Sequence, residues 1–318
     1  MMRRTVVLVA VAALAHAGGA WAYGWPIKPF GRQHPLRANF GDPRTAFMNE
    51  IADNGMNGPG AFNFHNGVDI PARGGQAVYA VASGTAHVQG PGVIDVRSTE
   101  HVTFQFAHVE PVVSEGQFVV ARRTILGYVQ PWAGHVHFGE IDDGKVTNPL
   151  QQGHLTPYSD KIRPHIGSIA VRDSRGHELG LLGVRGRVWL TAEAYDVSSV
   201  PAPGPWRGFP VAPAAVSWRL ERLSTHTVVI PQTLAVSFRD SLPPNSDFWR
   251  YYARGTYQNM PRFGATIYAS MPGRYIYRLT PDGLDTTKLR DGVYVVWAVS
   301  VDIRGNAAAA SKRISILN

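Results

Sequence analysis

The chain has 318 residues, which is enough for about two domains that each bury a core of their own. It contains no cysteine, which excludes disulfide frameworks, thiolate metal sites and cysteine nucleophiles. Any metal ligands must therefore be His, Asp or Glu. The formal net charge is +8, and the basic residues are scattered instead of grouped in runs. This charge suits an anionic polymer, but without a basic run we expect no nucleic-acid binding.

The N-terminus has the pattern of a cleavable export signal. Arg3 and Arg4 precede an apolar stretch at residues 5–15, and Ala20-Trp21-Ala22 matches a small-residue cleavage site. The apolar stretch is shorter than the ~20 residues that span a bilayer, and no later stretch approaches that length. We predict a signal peptide at residues 1–22, with export to the periplasm, the cell wall or the medium. An uncleaved anchor is the alternative. Cleavage lowers the net charge by two, to +6.

The rest of the sequence is typical of an all-β, mainly antiparallel protein. Its 33 Gly and 23 Pro residues separate short runs rich in Val, Ile, Tyr and Phe. Long segments with an apolar period of 3.6 residues are missing. Before the first histidine motif, one helix is predicted, at residues 45–53, where Phe47, Met48 and Ile51 fall on one side.

A change in sequence character near residue 161 predicts a second domain. Beyond a polar, turn-rich passage, strand-like runs follow one another, and the last of them alternates cleanly. About seven short strands over ~150 residues suggest a two-sheet sandwich, and the last hairpin resembles those of immunoglobulin-like and fibronectin-like modules. Two insertions, at residues 197–214 and 239–272, have no predicted structure. The predicted strands lie at residues 166–171, 187–195, 215–220, 234–238, 274–279 and 292–302.

Histidines lie beside strand-like residues in three segments of the first half. On a strand, residues two apart share a face, so His135 and His137 point to one side. Val136, Phe138 and Glu140 then face the opposite side, toward the core. Two neighbouring imidazoles suit a metal site. The three segments are residues 64–70 with His65 and Asp69, residues 104–109 with His108, and residues 134–138 with His135 and His137.

His65 and Asp69 are four residues apart, and a straight strand would separate them by ~13 Å. Both can reach one ion, at ~2.0–2.2 Å from each ligand atom, only if the chain bends between them. Gly67 lies between them, and glycine permits a bulge or a tight bend. A lone histidine beside apolar residues is more often an ordinary packed side chain, so each segment is a weak signal when taken alone.

Taken together, the three segments resemble those of the lysostaphin and LytM-type zinc endopeptidases, peptidase family M23. The resemblance spans residues 34–160, from a Phe-Gly-Asp-Pro-Arg run at residues 40–44 to Asn-Pro-Leu at residues 148–150. It implies a β-sheet catalytic domain of the duplicated hybrid motif type at residues 34–160. An N-terminal segment at residues 23–33 would precede it, and the predicted β-sandwich at residues 161–318 would follow.

The resemblance implies one zinc ion per chain, held by His65, Asp69 and His137, with a fourth position left for water. His108 and His135 would stand beside the zinc as catalytic, non-ligand histidines that move protons and stabilise the oxyanion. The sequence leaves open which of the two does which. The implied activity is that of a secreted endopeptidase, which hydrolyses peptide bonds in the cross-bridges or stems of bacterial peptidoglycan through a zinc-activated water.

The sequence departs from the family at two walls of the implied substrate groove. The usual Gly-rich, Tyr-containing stretch is replaced at residues 93–101, and the loop at residues 128–134 is shorter. These departures leave substrate choice open. The alternatives are a non-catalytic LytM-type regulator that activates another wall hydrolase, a secreted zinc peptidase of Gly-rich proteins, and an adhesion or carbohydrate-binding protein.

The resemblance also implies partners. We expect a monomer that acts on peptidoglycan peptides and has no membrane span after signal removal. Its C-terminal domain either binds a cell-wall polymer or a protein partner, or stabilises the catalytic domain. The sequence leaves open whether residues 23–37 or the insertion at residues 239–272 cover the groove. In such proteins an Asn or His from an N-terminal segment can occupy the open zinc position, and His34, Asn39 and Asn49 are candidates here.

Overall fold

The structure is a computed structural model that describes residues 22–46, 61–99, 101–259, 262–263, 266–267 and 272–318. The predicted signal peptide lies outside these residues except for Ala22, and so does Asn49. Among the described residues, no helix combines the length and the apolar character that a membrane crossing requires.

The first half of the described chain consists of short strands, and each pairing between them is antiparallel. This confirms the all-β, antiparallel prediction for this half. The strands are β1 (Pro43–Ala46), β2 (Ala61–Phe64), β3 (Val68–Pro71), β4 (Ala77–Tyr79), β5 (Gly84–Gly90), β6 (Val93–Arg97), β7 (Val102–Ala107), β8 (Val109–Pro111), β9 (Phe118–Val119), β10 (Ile125–Val129), β11 (His135–Asp142) and β12 (Lys145–Thr147).

The main sheet of this half has seven strands. Its order is β12-β11-β7-β6-β5-β9, and β3 pairs with the part of β11 that β12 leaves free. A second sheet, β4-β10-β8, packs on it. Phe106, Val136 and Phe138 from the main sheet are fully buried together with Val78 and Leu126 from the smaller one. The apolar face of β11 thus points into this core, which leaves its other face for polar residues.

The predicted helix at residues 45–53 is wrong at its start. Thr45 lies in β1, which forms a hairpin with β2 and pairs Thr45 with Phe62. Phe62 and Phe64 are almost fully buried in the core of the second half, so tertiary packing selects the extended conformation over the local helical pattern. The remaining residues of that prediction, 47–53, lie outside the described residues.

The second half is also built from antiparallel strands, with one four-residue helix, α1 (Phe248–Tyr251). The six strands predicted there are confirmed, with shifted ends. The strands are β13 (His165–Arg172), β14 (Glu178–Leu179), β15 (Arg187–Val197), β16 (Pro210–Val211), β17 (Ala215–Arg222), β18 (Thr227–Ser237), β19 (Arg262–Phe263), β20 (Thr266–Ile267), β21 (Ile276–Arg278), β22 (Leu284–Asp285), β23 (Gly292–Val301) and β24 (Ala307–Ile316). Short 3₁₀ turns lie at Gly204–Trp206, Asn245–Asp247 and Thr286–Lys288.

Two sheets enclose the core of the second half. One contains β14-β13-β15-β16 with β21 and β22 on β15, and the other is β18-β17-β23-β24. Leu190 from the first sheet and Leu220, Val296 and Ile314 from the second are buried in one cluster. The second half is therefore a two-sheet sandwich, whereas its likeness to immunoglobulin-like modules stays a prediction.

Contacts between the halves involve the residues that precede the first histidine motif. The backbone N–H of Ala212 donates to Asp42 Oδ1 at 2.6 Å, and the hydroxyl of Tyr252 donates to the carbonyl of Gly41 at 2.7 Å. Gly41 has φ of +87°, and a Cβ there would lie 2.5 Å from the ring of Phe238. A glycine is needed at this position for both reasons. The second half thus holds the chain that leads to His65.

Candidate metal centre

Strand β11 gathers the candidate residues through its two neighbours. His137 lies opposite Asp69 of β3 on one side and opposite Ala107 of β7 on the other. His108 follows Ala107 directly, and His135 shares the face of His137 because the two are two residues apart. Antiparallel pairing therefore brings residues from three separate segments to one place on the sheet.

The side chains of His65, Asp69 and His137 meet in a triangle of potential donor atoms. Nε2 of His65 lies 2.9 Å from Nδ1 of His137 and 3.0 Å from Oδ1 of Asp69. Nδ1 of His137 lies 3.2 Å from the same oxygen. All three residues are buried, so the donor atoms are held in place by packing.

Gly67 makes this triangle possible, though for a different reason from the one predicted. The chain bends between His65 and β3, as expected, but φ of Gly67 is not in the left-handed region. Instead, a Cβ at Gly67 would lie 2.3 Å from the carbonyl oxygen of Phe138 and 2.8 Å from the ring of His137. Glycine is required because the bend presses against β11.

Hydrogen bonds outside the triangle orient its members. The Nδ1–H of His65 donates to the carbonyl of Asn39 at 2.8 Å, which leaves Nε2 as the acceptor nitrogen. Oδ2 of Asp69 accepts from Arg37 at 3.3 Å and from Arg44 at 3.2 Å. Burial by itself raises the pKa of Asp69, but the nearby histidines outweigh it and hold this pKa well below its usual value.

His108 and His135 lie beside the triangle, with ring centroids 4.5 Å apart. The Nδ1–H of His135 donates to the carbonyl of Ala133 at 2.7 Å, so Nε2 is the unprotonated nitrogen of the neutral ring. Burial lowers the pKa of His135 to about 4 and also lowers the pKa of His108. His108 has φ of 64°, and this left-handed conformation turns the chain sharply between β7 and β8.

The three donors of the triangle suit a metal ion. Two imidazole nitrogens and a carboxylate oxygen at ~2.0–2.2 Å from zinc would be separated by ~3.3–3.5 Å in tetrahedral geometry. The observed separations of 2.9, 3.0 and 3.2 Å are slightly smaller, so binding would need only small shifts. Three protein donors leave one position open, which is the arrangement of a catalytic site.

The candidate centre lies in a cleft of about 1140 Å³ that both halves of the chain line. The first half contributes the triangle, His108, His135, Arg37 and the exposed Trp132. The second half contributes Trp206 and residues 242–245. Both stretches fall in the insertions that had no predicted structure. The question of whether the second insertion covers the groove was left open, and its residues 242–245 line the cleft.

Sequence reasoning also missed Arg37 and the pairing of Arg44 with Asp69. Arg44 was part of the motif at residues 40–44, but nothing local distinguishes Arg37. The face predicted for Glu140 is confirmed: its carboxylate is buried on the core side of β11, where it accepts from Tyr23 and contacts His154 at 2.9 Å.

Two residues proposed to cover the metal position lie elsewhere. His34 contacts the carbonyl of Pro29 at 3.1 Å, and the side-chain amide of Asn39 donates to Ala212 at 3.2 Å. His34 is thus held by a neighbouring carbonyl and the Asn39 amide by the second half of the chain, so neither side chain occupies the metal position. Asn49 lies outside the described residues.

No family model and no curated protein matches the sequence. Among solved structures, the chain is similar to a zinc-containing peptidase from Vibrio cholerae, with 20% identity and a TM-score of 0.29, over 39% of this chain and 37% of that one. It is also similar to the SpoIIQ–SpoIIIAH pore-forming complex, with 18% identity and a TM-score of 0.32, over 43% of this chain and 94% of that one. A third similar structure is the catalytic domain of the prophage-encoded M23 protein EnpA from Enterococcus faecalis, with 17% identity and a TM-score of 0.25, over 36% and 85%. At these identities and TM-scores the likenesses carry no argument about activity.

Proposed function

We propose that the protein is an exported zinc metalloendopeptidase that hydrolyses peptide bonds in bacterial peptidoglycan. One observation carries the proposal: the donor triangle of His65, Asp69 and His137 lies in an open cleft, with two further histidines beside it. A purely structural metal site would be closed by a fourth protein ligand. The M23-like order of the motifs in the sequence supports the same activity.

Different residues of the cleft would bind the metal and transfer the protons. His65, Asp69 and His137 would hold a zinc ion, which would supply Lewis-acid chemistry by lowering the pKa of a bound water and polarising a carbonyl. His108 and His135 are neutral near pH 7 because their pKa values are lowered, so either can accept a proton from water. The same ring can then donate that proton to the leaving amine. The hydrogen bond to Ala133 orients Nε2 of His135 for this role, while the turn at His108 orients the second ring.

Location and partners belong to the same proposal. The predicted signal peptide and the basic composition support action on an anionic cell wall outside the cytoplasm. We propose peptidoglycan peptides as the substrate and a monomer as the active form. The second half lines the cleft, and this supports a role at the substrate in addition to any contact with a wall polymer or a protein partner.

The test is zinc content together with peptide release from purified peptidoglycan. We expect the mature protein to hold about one zinc per chain and to release soluble peptides from walls of at least one cross-link type. Removal of zinc with a chelator should stop release, and added zinc should restore it. A zinc-loaded protein that releases nothing from walls of several cross-link types would contradict the proposal.

A further inference from the structure

The guanidinium of Arg37 places a positive charge in the cleft beside the donor triangle. Its Nε and Nη2 both lie 3.3 Å from Oδ2 of Asp69, while the other oxygen of that carboxylate is a vertex of the triangle. Nη2 is also 3.4 Å from Nε2 of His135. Arg37 therefore faces the same small volume as the candidate metal position and one of the two non-ligand histidines.

The guanidinium of Arg37 is fixed from its other side by the second half of the chain. The ring of Trp206 lies 5.0 Å from the central carbon of the guanidinium, within the range of a cation–π contact. Trp206 also lines the cleft beside Gly134, where an added Cβ would lie 3.4 Å from its ring. Trp206 and Asp69 together hold the guanidinium in one orientation.

Arg37 also has hydrogen-bonding capacity left over. A guanidinium carries five N–H donors, and those of Nη1 have no hydrogen-bond partner among the described residues. The side chain of Arg37 lines the cleft and keeps 18% of its surface exposed. Asp69 is the one acidic residue among the described residues lining the cleft, and it already contacts Arg37, Arg44 and the histidines. Within the described part of the cleft, the N–H groups of Nη1 thus have no anionic partner.

We propose that Arg37 is a catalytic residue that binds the oxyanion of the tetrahedral intermediate, and that Trp206 is its positioning residue. This inference rests on the proposed peptidase function. Fixed donors that point to where negative charge develops stabilise that charge at no cost in reorganisation. A guanidinium suits the task because it stays charged and is weakly hydrated.

The reaction balances without a further reagent. When water adds to the scissile carbonyl, a C–O bond forms and one water proton goes to His108 or His135. The carbonyl π pair moves onto its oxygen, and this oxyanion accepts from Arg37. On collapse, the C=O bond re-forms and the C–N bond breaks. The protonated histidine then gives its proton to the leaving amine, so the products are a carboxylic acid and an amine.

The experiment uses the zinc-loaded full mature chain and two blocked Gly/Ala tetrapeptides. One has its central amide intact, and the other has a phosphinate in its place, which is tetrahedral and anionic. Arg37→Gln should keep one zinc per chain and bind the amide peptide within about threefold of wild type. We expect its phosphinate affinity, and its kcat on peptidoglycan peptides, to fall about 10²- to 10³-fold. Arg32→Gln, an exposed arginine in the same segment, is the matched control and should change neither.

Trp206 gives a second, independent variant pair. Trp206→Ala should lower phosphinate affinity about tenfold without loss of zinc, and Trp206→Phe should restore most of it, since a phenyl ring keeps the cation–π contact.

An equal loss of affinity for the amide and the phosphinate peptide in Arg37→Gln would overturn the inference, because Arg37 would then stabilise substrate and intermediate to the same extent. Loss of zinc from Arg37→Gln, with phosphinate affinity restored by excess zinc, would also overturn it. If wild type cleaves no peptidoglycan, the proposed function fails, yet the ratio of phosphinate to amide affinity still decides the role of Arg37.

Discussion

Two buried clusters in this protein look alike when judged by distance alone. In the first half, donor atoms of His65, Asp69 and His137 lie within 4.8 Å of one another. In the second cluster, carboxylate oxygens of Asp160, Asp196 and Asp302 meet the same criterion, and all six residues are buried. Proximity therefore does not distinguish them, but their charges, partners and access do.

The first cluster is arranged to accept a cation. Two imidazoles supply nitrogen donors, the pKa of Asp69 is held well below its usual value so that its carboxylate stays charged, and the cleft gives access. Two arginines bind the far oxygen of Asp69, so this charge is compensated even without an ion. The donor atoms already lie 2.9–3.2 Å apart, and a metal ion bound between them would take the place of their direct contacts.

The second cluster satisfies its carboxylates internally. Asp302 accepts from the side-chain amide of Asn306 at 2.6 Å, and the same amide donates to the carbonyl of Asp160 at 3.0 Å. Burial raises the pKa of Asp196 to about 8, and the charges of Asp160 and Asp302 act in the same direction. Asp196 is thus protonated at neutral pH. The void beside it measures only about 10 Å³, roughly the space of one water.

Access and charge compensation therefore distinguish a metal site from a structural junction. In the second cluster, a carboxyl group takes up a proton in place of a cation. Its hydrogen bonds link the end of the first half to the β23–β24 turn, where Arg304 also donates to the carbonyl of Leu150 at 2.8 Å. We expect it to hold the two halves together.

The largest difference between the two clusters should appear when one member is removed from each. His137→Ala should lose zinc and all peptide release, because two protein donors no longer form a site. Asp196→Asn is the matched control in the other cluster and should retain one zinc per chain. Metal analysis of the purified variants measures both. Two zinc ions in wild type, or loss of metal from Asp196→Asn, would show that the second cluster also binds metal.

The next largest expected effect is a loss of catalytic rate without a loss of bound zinc. His108→Ala should keep its zinc and lower kcat by about 10²–10⁴-fold, since it removes one candidate proton carrier. His87→Ala is the control, because that ring pairs with Glu115 at 2.8 Å and is not among the residues that line the cleft. Steady-state kinetics on a soluble peptidoglycan peptide separate kcat from KM. An unchanged kcat for His108→Ala would leave His135 as the sole proton carrier.

A smaller effect is expected from the bend at Gly67. Gly67→Ala places a methyl group against Phe138 and His137, which should cost about 1–3 kcal/mol of unfolding free energy and weaken zinc binding at least tenfold. Gly31→Ala is the control, since a Cβ there meets no atom within 4 Å. Thermal unfolding with and without zinc provides the measurement. Equal behaviour of the two variants would show that the bend tolerates a side chain.

A further effect is a pH dependence of stability that belongs to the second cluster. Asp196 has a folded pKa of about 8, whereas an unfolded aspartate has ~3.9, so protonation favours the folded state. This stabilisation is complete below pH ~4 and is lost as the pH rises toward about 8. Asp196→Asn should therefore flatten the fall in stability over that range. Denaturant unfolding at several pH values tests this, with Asp142→Asn, at an exposed position, as the control. An unchanged slope in Asp196→Asn would assign the dependence to other groups.

Local patterns in the sequence were sufficient for part of this picture. The alternation in residues 135–138 predicted which side chains face the cleft and which face the core, because successive residues of any strand point to opposite sides. The need for a bend at Gly67 also followed from spacing alone. The all-β character followed from short strand-like runs separated by glycine and proline.

Other features depended on contacts between residues far apart in the chain. The start of the predicted helix at residues 45–53 is instead a strand, because Phe62 and Phe64 pack into the core of the second half. Arg37 reaches Asp69, and Trp206 reaches Arg37, only through the folded arrangement of both halves. No periodicity encodes such pairings. Backbone geometry sets which way a side chain points, but only long-range packing decides what it meets.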